Sequence, residues 1–509
     1  MKDRRIMMKL KRILSAILAG ATVLCTTALP AFAGDAETGS GEPATVAAIR
    51  NTAYSTFEEA VTAAKDDDTI TLTDNVTVDT QTVINNNITI DLNGNQLVSN
   101  YTGNYAFIFK NGGTIKDSAN KQGALIATNA RAISANGKKL TVSNAVVKVV
   151  SNNEKIHAVL AANNGLLLDN SEVIGECPDS YAVCSFADYN TFTIKNSTIK
   201  ANGIGIYHNG SNTNFKMTVD NSTVTIDKVG EYEVKDTYDA QGIYVSGTKG
   251  LHDIKITDST ISGKNGIEVK YANVTLDNAT VTSTVTEPSY VQNNNGPATK
   301  GFAVVITDNT KGDNNKTVDP RGTIIINSGT YTGLIGLESF KASKEYLAEG
   351  AKTDVRISGG TFNQPLEASW CADGYEPADN GDGTYTVKEK SAVKLFDKIA
   401  VLRGKEPWLF AGIDKLNYDK AGFKFKIGDG EEFEVLESVV CEEITCNGEP
   451  VKASDLGGSY IFGVKLDERF KAAFTAAPFA DGQVGTATKF MKYVDDLPGD
   501  NGVDPSDWL

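Results

Sequence analysis

Residues Phe192 to Ile199 read FTIKNSTI. Phe192 and Ile194 are apolar while Thr193 and Lys195 are polar, the period-two alternation of a strand with one buried face. Asn196 then interrupts, and a second β-branched run follows. The same eight-residue unit returns as LLLDNSEV from Leu166, MTVDNSTV from Met217, IKITDSTI from Ile254 and VTLDNATV from Val274. With copies from Leu140 and, less cleanly, from Thr323, the first steps are 26, 26 and 25 residues, followed by 37 and 20. Periods of this size mark stacked coils, in which longer steps are loops bulging from the stack.

The fifth position carries the structural information. It reads Asn144, Asn170, Asn196, Asn221, Asp258, Asn278 and Asn327. Asn has both donors and an acceptor, so copies at strand spacing bond one to the next, and its side chain tolerates the left-handed turn conformation. One Asn per coil therefore predicts a repeated corner. A second short strand follows each unit, as HAVLAA, YAVCSF, GIGIY, GIYVS, GIEVK and FAVVI. Short strands stacked in parallel would enclose a continuous aliphatic interior.

This pattern resembles the right-handed parallel β-helix of the pectate-lyase-like superfamily over residues 54–388. The resemblance extends to STFEEAVTAAKDDDTITLTDNVTV and ITIDLNGNQL, which look like the opening of secreted bacterial members. Ser55 and Glu58 are spaced as a capping box, and Phe57, Ala60, Val61 and Ala64 share one side of the helix that follows. Such a helix would cap the stack, covering its apolar end.

The expected organisation is all-β. Residues 1–33 read as a signal peptide, with the basic leader MKDRRIMMKLKR, an apolar segment and a small-residue cleavage site ending at Ala33. A linker over 34–53 leads into the right-handed parallel β-helix of 54–388. The stretch 391–493 reads as a small β-sandwich resembling immunoglobulin-type modules, on the strength of AGFKFKIGDGEEFEVL, where Phe423 and Phe425 face Phe433 and Val435 across a Gly-Asp-Gly turn. Residues 494–509 form an acidic, flexible tail.

The net charge is −15, and removing the leader takes it to about −20. That excludes nucleic acid and anionic membrane as natural partners. No run after the leader approaches the ~20 apolar residues of a membrane span, so no membrane insertion is expected and the mature chain reads as secreted, a monomer at the cell surface or beyond it. Five cysteines remain, an odd number that argues against a disulfide scaffold, although Cys177 and Cys184 would close a small loop.

Many enzymes of the resembled superfamily cleave acidic polysaccharides, the lyases with calcium held by clustered carboxylates and an Arg or Lys base, the hydrolases with Asp pairs. The motifs NTD, GDD, GHG and RIK of the polygalacturonase-like members are missing here. Asp169, Lys195 and Asp220 are the catalytic candidates: they precede the Asn in successive coils, placing the two carboxylates ~9.6 Å apart, near the upper limit for an inverting glycosidase. An Asp-Lys-Asp ladder is also what an exposed sheet uses to avoid stacking like charges. Arg356 and Asp354 share a strand face, as a surface ion pair would. His157, His208 and His252 lack metal-ligand spacing, and no cofactor is indicated unless calcium serves a lyase.

Tyr207, Tyr244 and Tyr271 come from successive coils and are expected to face solvent, where aromatic rings stack on sugars. Glu268 is expected beside them, pointing outward. The polar insertions DKVGEYEVKDTYDAQ and TVTEPSYVQNNNGPATK are the places for recognition loops. The function this favours is adhesion or binding of an extracellular glycan on a host or cell-wall surface. Polysaccharide cleavage and a spacer that displays the C-terminal module are the alternatives.

Overall fold

The computed structural model describes residues 44–389 apart from 154–157, 188–189, 211–214, 235–237, 239, 248–250, 294–295, 308, 312–315, 319–320 and 339–351. Beyond 389 it describes 399–402, 408–413, 425–426, 432–433, 435–446, 449–456, 458–466 and 494–496. The chain divides into Met1–Ala44 and Thr45–Leu509, and the features below belong to the second unit. The expected signal peptide, residues 34–43 and residues 497–509 lie outside the described residues.

Each coil contributes a strand to each of three sheets. In the coil that opens on FTIKNSTI these are Thr191–Lys195, Thr198–Ala201 and Ile204–Asn209, after which Lys216–Asp220 re-enters the first sheet. The sheets hold 13, 13 and 10 strands, with parallel pairing from coil to coil. Leu140, Leu166, Phe192, Met217, Ile254 and Val274 stack in register, as the repeat requires. Together with Ile194, Ile199, Ile206 and their counterparts they form one continuous buried core.

The corner between the first and second sheets explains the Asn. Asn144, Asn170, Asn196, Asn221, Asp258 and Asn278 all take the left-handed conformation, with φ between 42° and 52°. The amides bond vertically: Asn170 Nδ2 donates to Asn144 Oδ1 at 2.7 Å, Asn221 to Asn196 at 2.8 Å and Asn278 to Asp258 at 2.6 Å. Asn120, one coil earlier and also at positive φ, accepts from Asn170 at 3.2 Å. The seventh expected member, Asn327, does not belong. Ile324, not Thr323, stacks on Val274, which puts Ser328 level with Asn278 and Asn327 one residue earlier.

A second ladder runs beside the first. Ser171, Ser197, Ser222 and Ser259 are buried, and each hydroxyl donates to the carbonyl two residues back, at 2.6–2.8 Å. Each hydroxyl also accepts from the backbone N–H of the coil below: Ser171 N to Ser197 Oγ at 3.1 Å, Ser197 N to Ser222 Oγ at 3.0 Å and Ser222 N to Ser259 Oγ at 3.0 Å. A corner that breaks the regular strand pairing would otherwise bury unpaired N–H groups. The recurring Asn-Ser is thus one residue for the bend and one for the amide the bend leaves over.

Gly205, Gly242 and Gly266 open the third-sheet strands. A Cβ on each would lie 2.5–2.6 Å from the carbonyl oxygen of the next coil and 2.4–2.6 Å from an aliphatic side chain of the second sheet. Glycine lets these two sheets meet at that distance.

At the start, α1 spans Phe57–Ala63 and buries Phe57 and Ala60 in the common core. Its capping box is one residue later than expected: Thr56 and Glu59 exchange the two bonds, because Thr56 has the extended backbone of the N-cap. Ser55 instead donates to Glu59 at 2.9 Å. The end of the expected linker is also structured. Ala47–Ile49 and Thr52–Tyr54 form an antiparallel pair that extends the sheet beyond Thr69–Leu72, with Ala47 and Ile49 buried. At the other end, Tyr385–Glu389 and Tyr375–Asp379 pair antiparallel on the second sheet.

Beyond residue 389 the described strands are antiparallel. Ile399–Leu402, Trp408–Ile413, Tyr460–Leu466 and Val435–Cys441 make a four-stranded sheet. Phe425 pairs antiparallel with Phe433, and Lys426 with Glu432. The start of the expected tail is a strand, Val494–Asp496, which pairs with Glu443–Cys446. No helix among the described residues is long and apolar enough to cross a membrane.

Candidate functional site

The outward column of the third sheet runs Ser134, Ala161, Cys184, Tyr207, Tyr244, Glu268 and Val305 from coil to coil. Tyr207 and Tyr244 therefore sit directly above one another, their rings 5.4 Å apart and 9° from parallel. Tyr181 extends the row with its ring 5.4 Å from Tyr207, and Phe186 packs on the same ring at 5.7 Å. Phe186 is 54% exposed. Ala158, Ala161 and Cys184 form the buried floor against which Tyr105, Tyr181 and Tyr207 pack. Burial pushes the Cys184 thiol far above its ordinary pKa, and it is a free cysteine, so the loop to Cys177 is not closed. At the far end the Arg131 guanidinium lies 5.3 Å over the Tyr105 ring and donates to Asn104 Oδ1 at 2.6 Å. Burial also raises the Tyr105 hydroxyl's pKa. The result is a half-buried row of aromatic edges and faces on one side of the stack, ending in a cation.

Tyr207 was readable from the sequence, but its neighbours were only partly so. Tyr244 is 5% exposed, so it supports Tyr207 from beneath instead of facing solvent. Tyr271 is outside the row. It occupies the single corner residue between the strands Asn265–Lys270 and Ala272–Asp277, at φ 65°, a conformation uncommon for a bulky side chain. Tyr181 and Phe186 are the first and last residues of YAVCSF. Only the register, with Cys184 level with Tyr207, shows that they converge on it.

Glu268 and Lys270 point outward yet are fully buried. The insertion TVTEPSYVQNNNGPATK explains this: Ser289–Asn293 and Gly296–Lys300 form a hairpin that reaches the outer face of the third sheet. Thr299 of that hairpin donates to Glu268 Oε2 from its backbone N at 2.8 Å and from its hydroxyl at 2.7 Å. Gln241 and Asn265 donate to the same oxygen at 2.9 and 3.2 Å. Glu268 Oε1 takes Lys270 Nζ at 3.2 Å and the Thr307 hydroxyl at 3.3 Å. Lys270 also donates to Thr307 at 2.6 Å and lies 5.8 Å over the Tyr244 ring. A buried ion pair stands only when its remaining hydrogen-bonding capacity is filled, and removing one partner costs about 3–5 kcal/mol. Glu268 is therefore the clamp that seats the hairpin, with no free oxygen for a ligand.

Asp169, Lys195 and Asp220 do stack as expected, on the outer face of the first sheet. Lys195 Nζ is 3.0 Å from Asp169 Oδ2, both half-exposed, and the same pairing appears three coils earlier between Lys116 and Asp91 at 3.2 Å. They share no face with the tyrosines. Arg356 and Asp354 form the expected surface pair. His208 lies inside the stack, its ring 3.9 Å from Phe215 and 5.0 Å from His252. Neither ring nitrogen of His208 has a partner among the described residues. Burial, with His252 nearby, lowers its pKa to about 3. Among the described residues no group of three or more His, Cys, Asp or Glu is placed to hold a metal ion.

Fold and face together define a three-sheeted parallel β-solenoid carrying an aromatic row on one sheet. No family model, no curated protein and no solved structure matches the chain.

Proposed function

We propose that the chain is an exported right-handed β-helix adhesin, its first coil capped by α1, that binds an extracellular glycan at the row Tyr181, Tyr207 and Phe186. A C-terminal immunoglobulin-like module belongs to the same reading. The observation that carries it is the ring geometry. Tyr207 is held by a parallel ring beneath it and flanked by an exposed Phe186, so aromatic surface is fixed in place before a sugar arrives, which lowers the ordering cost of binding. Cleavage is the weaker reading because two of the three candidate carboxylates are engaged, Asp169 by Lys195 and Glu268 by five donor residues beneath the hairpin, which leaves Asp220 without a second free carboxylate.

A glycan array run beside reducing-end and unsaturated-product assays on pectins and host glycans, with and without calcium, tests this. Binding without products is expected, and Tyr207→Ala and Phe186→Ala should each weaken it about tenfold, the scale of one aromatic contact. Product above the blank, or binding untouched by both substitutions, would reject the assignment.

A further inference from the structure

The second sheet carries an ordered surface unrelated to the aromatic row. Thr198, Thr223, Thr260, Thr280, Thr330 and Thr361 stack in one outward column over six successive coils. Two residues along, Thr225, Ser262, Thr282 and Thr332 form a parallel column. No register shift interrupts either column. Thr260, Thr280 and Thr330 are exposed, the other side chains half-buried. Among the described residues, none of these ten hydroxyls bonds another protein group.

Strand propensity favours Thr on any exposed sheet, but it does not exclude charge. Over the same coils the outer face of the first sheet presents Lys216, Asp220, Asp253, Lys255, Asp277, Asp354 and Arg356. From Thr223 to Thr361 neither Thr column contains a charged residue, in a chain of net charge −15. An electroneutral grating calls for an electroneutral partner with a matching repeat.

The repeat identifies that partner. Hydroxyls on adjacent strands are ~4.8 Å apart and those two residues along a strand ~6.8 Å apart. Water bonded tetrahedrally at ~2.8 Å places second-neighbour oxygens ~4.5 Å apart and repeats its layers every ~7.4 Å. The mismatch of ~0.3 Å per coil accumulates to only ~1.5 Å across the column, about a third of one repeat. Methyl groups restrict the first water layer while hydroxyls bond into it. A crystalline polysaccharide would instead need rings to stack on, and the aromatic residues of these strands, Tyr331 and Phe362, point into the core. We propose that this face binds the surface of ice.

The test is slow growth of ice through a solution of the purified chain, measuring the fraction incorporated, together with the freezing-melting gap and crystal habit. Incorporation and faceting are expected. The doubly substituted T260K/T280K chain should fall to the level of a non-binding carrier protein. T280V, which keeps the shape and loses one hydroxyl, should be weakened if the lysine variant fails to fold by circular dichroism. T218K, on the first sheet, should behave as the parent. Exclusion of the parent chain from ice, undiminished uptake by the folded variants, or capture by microcrystalline cellulose that these substitutions abolish would overturn the proposal.

Discussion

A single side chain shows how far burial governs this molecule. His208 is neutral in the folded chain down to about pH 3, whereas its ordinary value is 6.5. Between those values the unfolded state holds the extra proton, so folding stability falls as pH drops through 6.5 and keeps falling until the folded pKa is reached. His208→Leu should flatten that part of the acid limb relative to the parent, read as thermal midpoints at pH 7 and pH 4.5. It should not lower the midpoint at pH 7, since two unpartnered polar nitrogens leave the core. A slope unchanged by the substitution would mean that other groups carry the acid sensitivity. The alternation Ile204, Ile206, His208 places the imidazole on the inward face beside outward Tyr207; what the letters do not show is that no partner among the described residues meets its nitrogens there.

At the scale of the element, the corner divides its work between two residues. Ser197→Ala removes the acceptor for Ser171 N and should cost about 1–3 kcal/mol, the desolvation of an unpaired N–H. Asn196→Ala adds the strain of an L-residue at φ 50°, about 1–2 kcal/mol, while Asn196→Gly should recover the conformational share and lose only the bond to Asn221. Calorimetric midpoints of the three variants separate these contributions; a Ser197→Ala chain as stable as its parent would mean that water replaces the hydroxyl. The Asn column was legible because bend and ladder both demand the same rare residue type. The Ser column was hidden by its ordinariness, although the letter was in view beside every Asn. The slip at Thr323 has a plain cause: in TIIINSGTY three consecutive Ile blur the alternation that sets the phase. The hairpin over Glu268 was illegible for another reason. Alternation tells which way a side chain points, not what another segment lays over it.

For the molecule as a whole, the exposed ends of stacked sheets are the hazard. The first sheet ends on the short antiparallel strand Thr52–Tyr54 and the second on Tyr375–Asp379, in place of a full parallel strand that would offer its edge to another copy. Truncation after Ile357 removes the second closure. The shortened chain should associate, seen as early elution and scattering, while the parent elutes as one species. A truncated chain that stays dispersed would show that the edges are harmless. The sequence foretold coils because coils repeat; it was silent on closure because each end occurs once.

The two corner ladders also bear on how such a chain changes length. From Leu140 to Met217 the backbone N–H at each corner bonds the Ser hydroxyl of the next layer, Ala145 N to Ser171 as Ser171 N to Ser197 and Ser197 N to Ser222. Excising residues 166–191 would bring Gly165 to Phe192 and set Leu140 against Phe192, rejoining both ladders without a mismatch. Recombination between misaligned copies of its own gene could therefore add or drop a storey in one event, with the neighbouring floors left untouched.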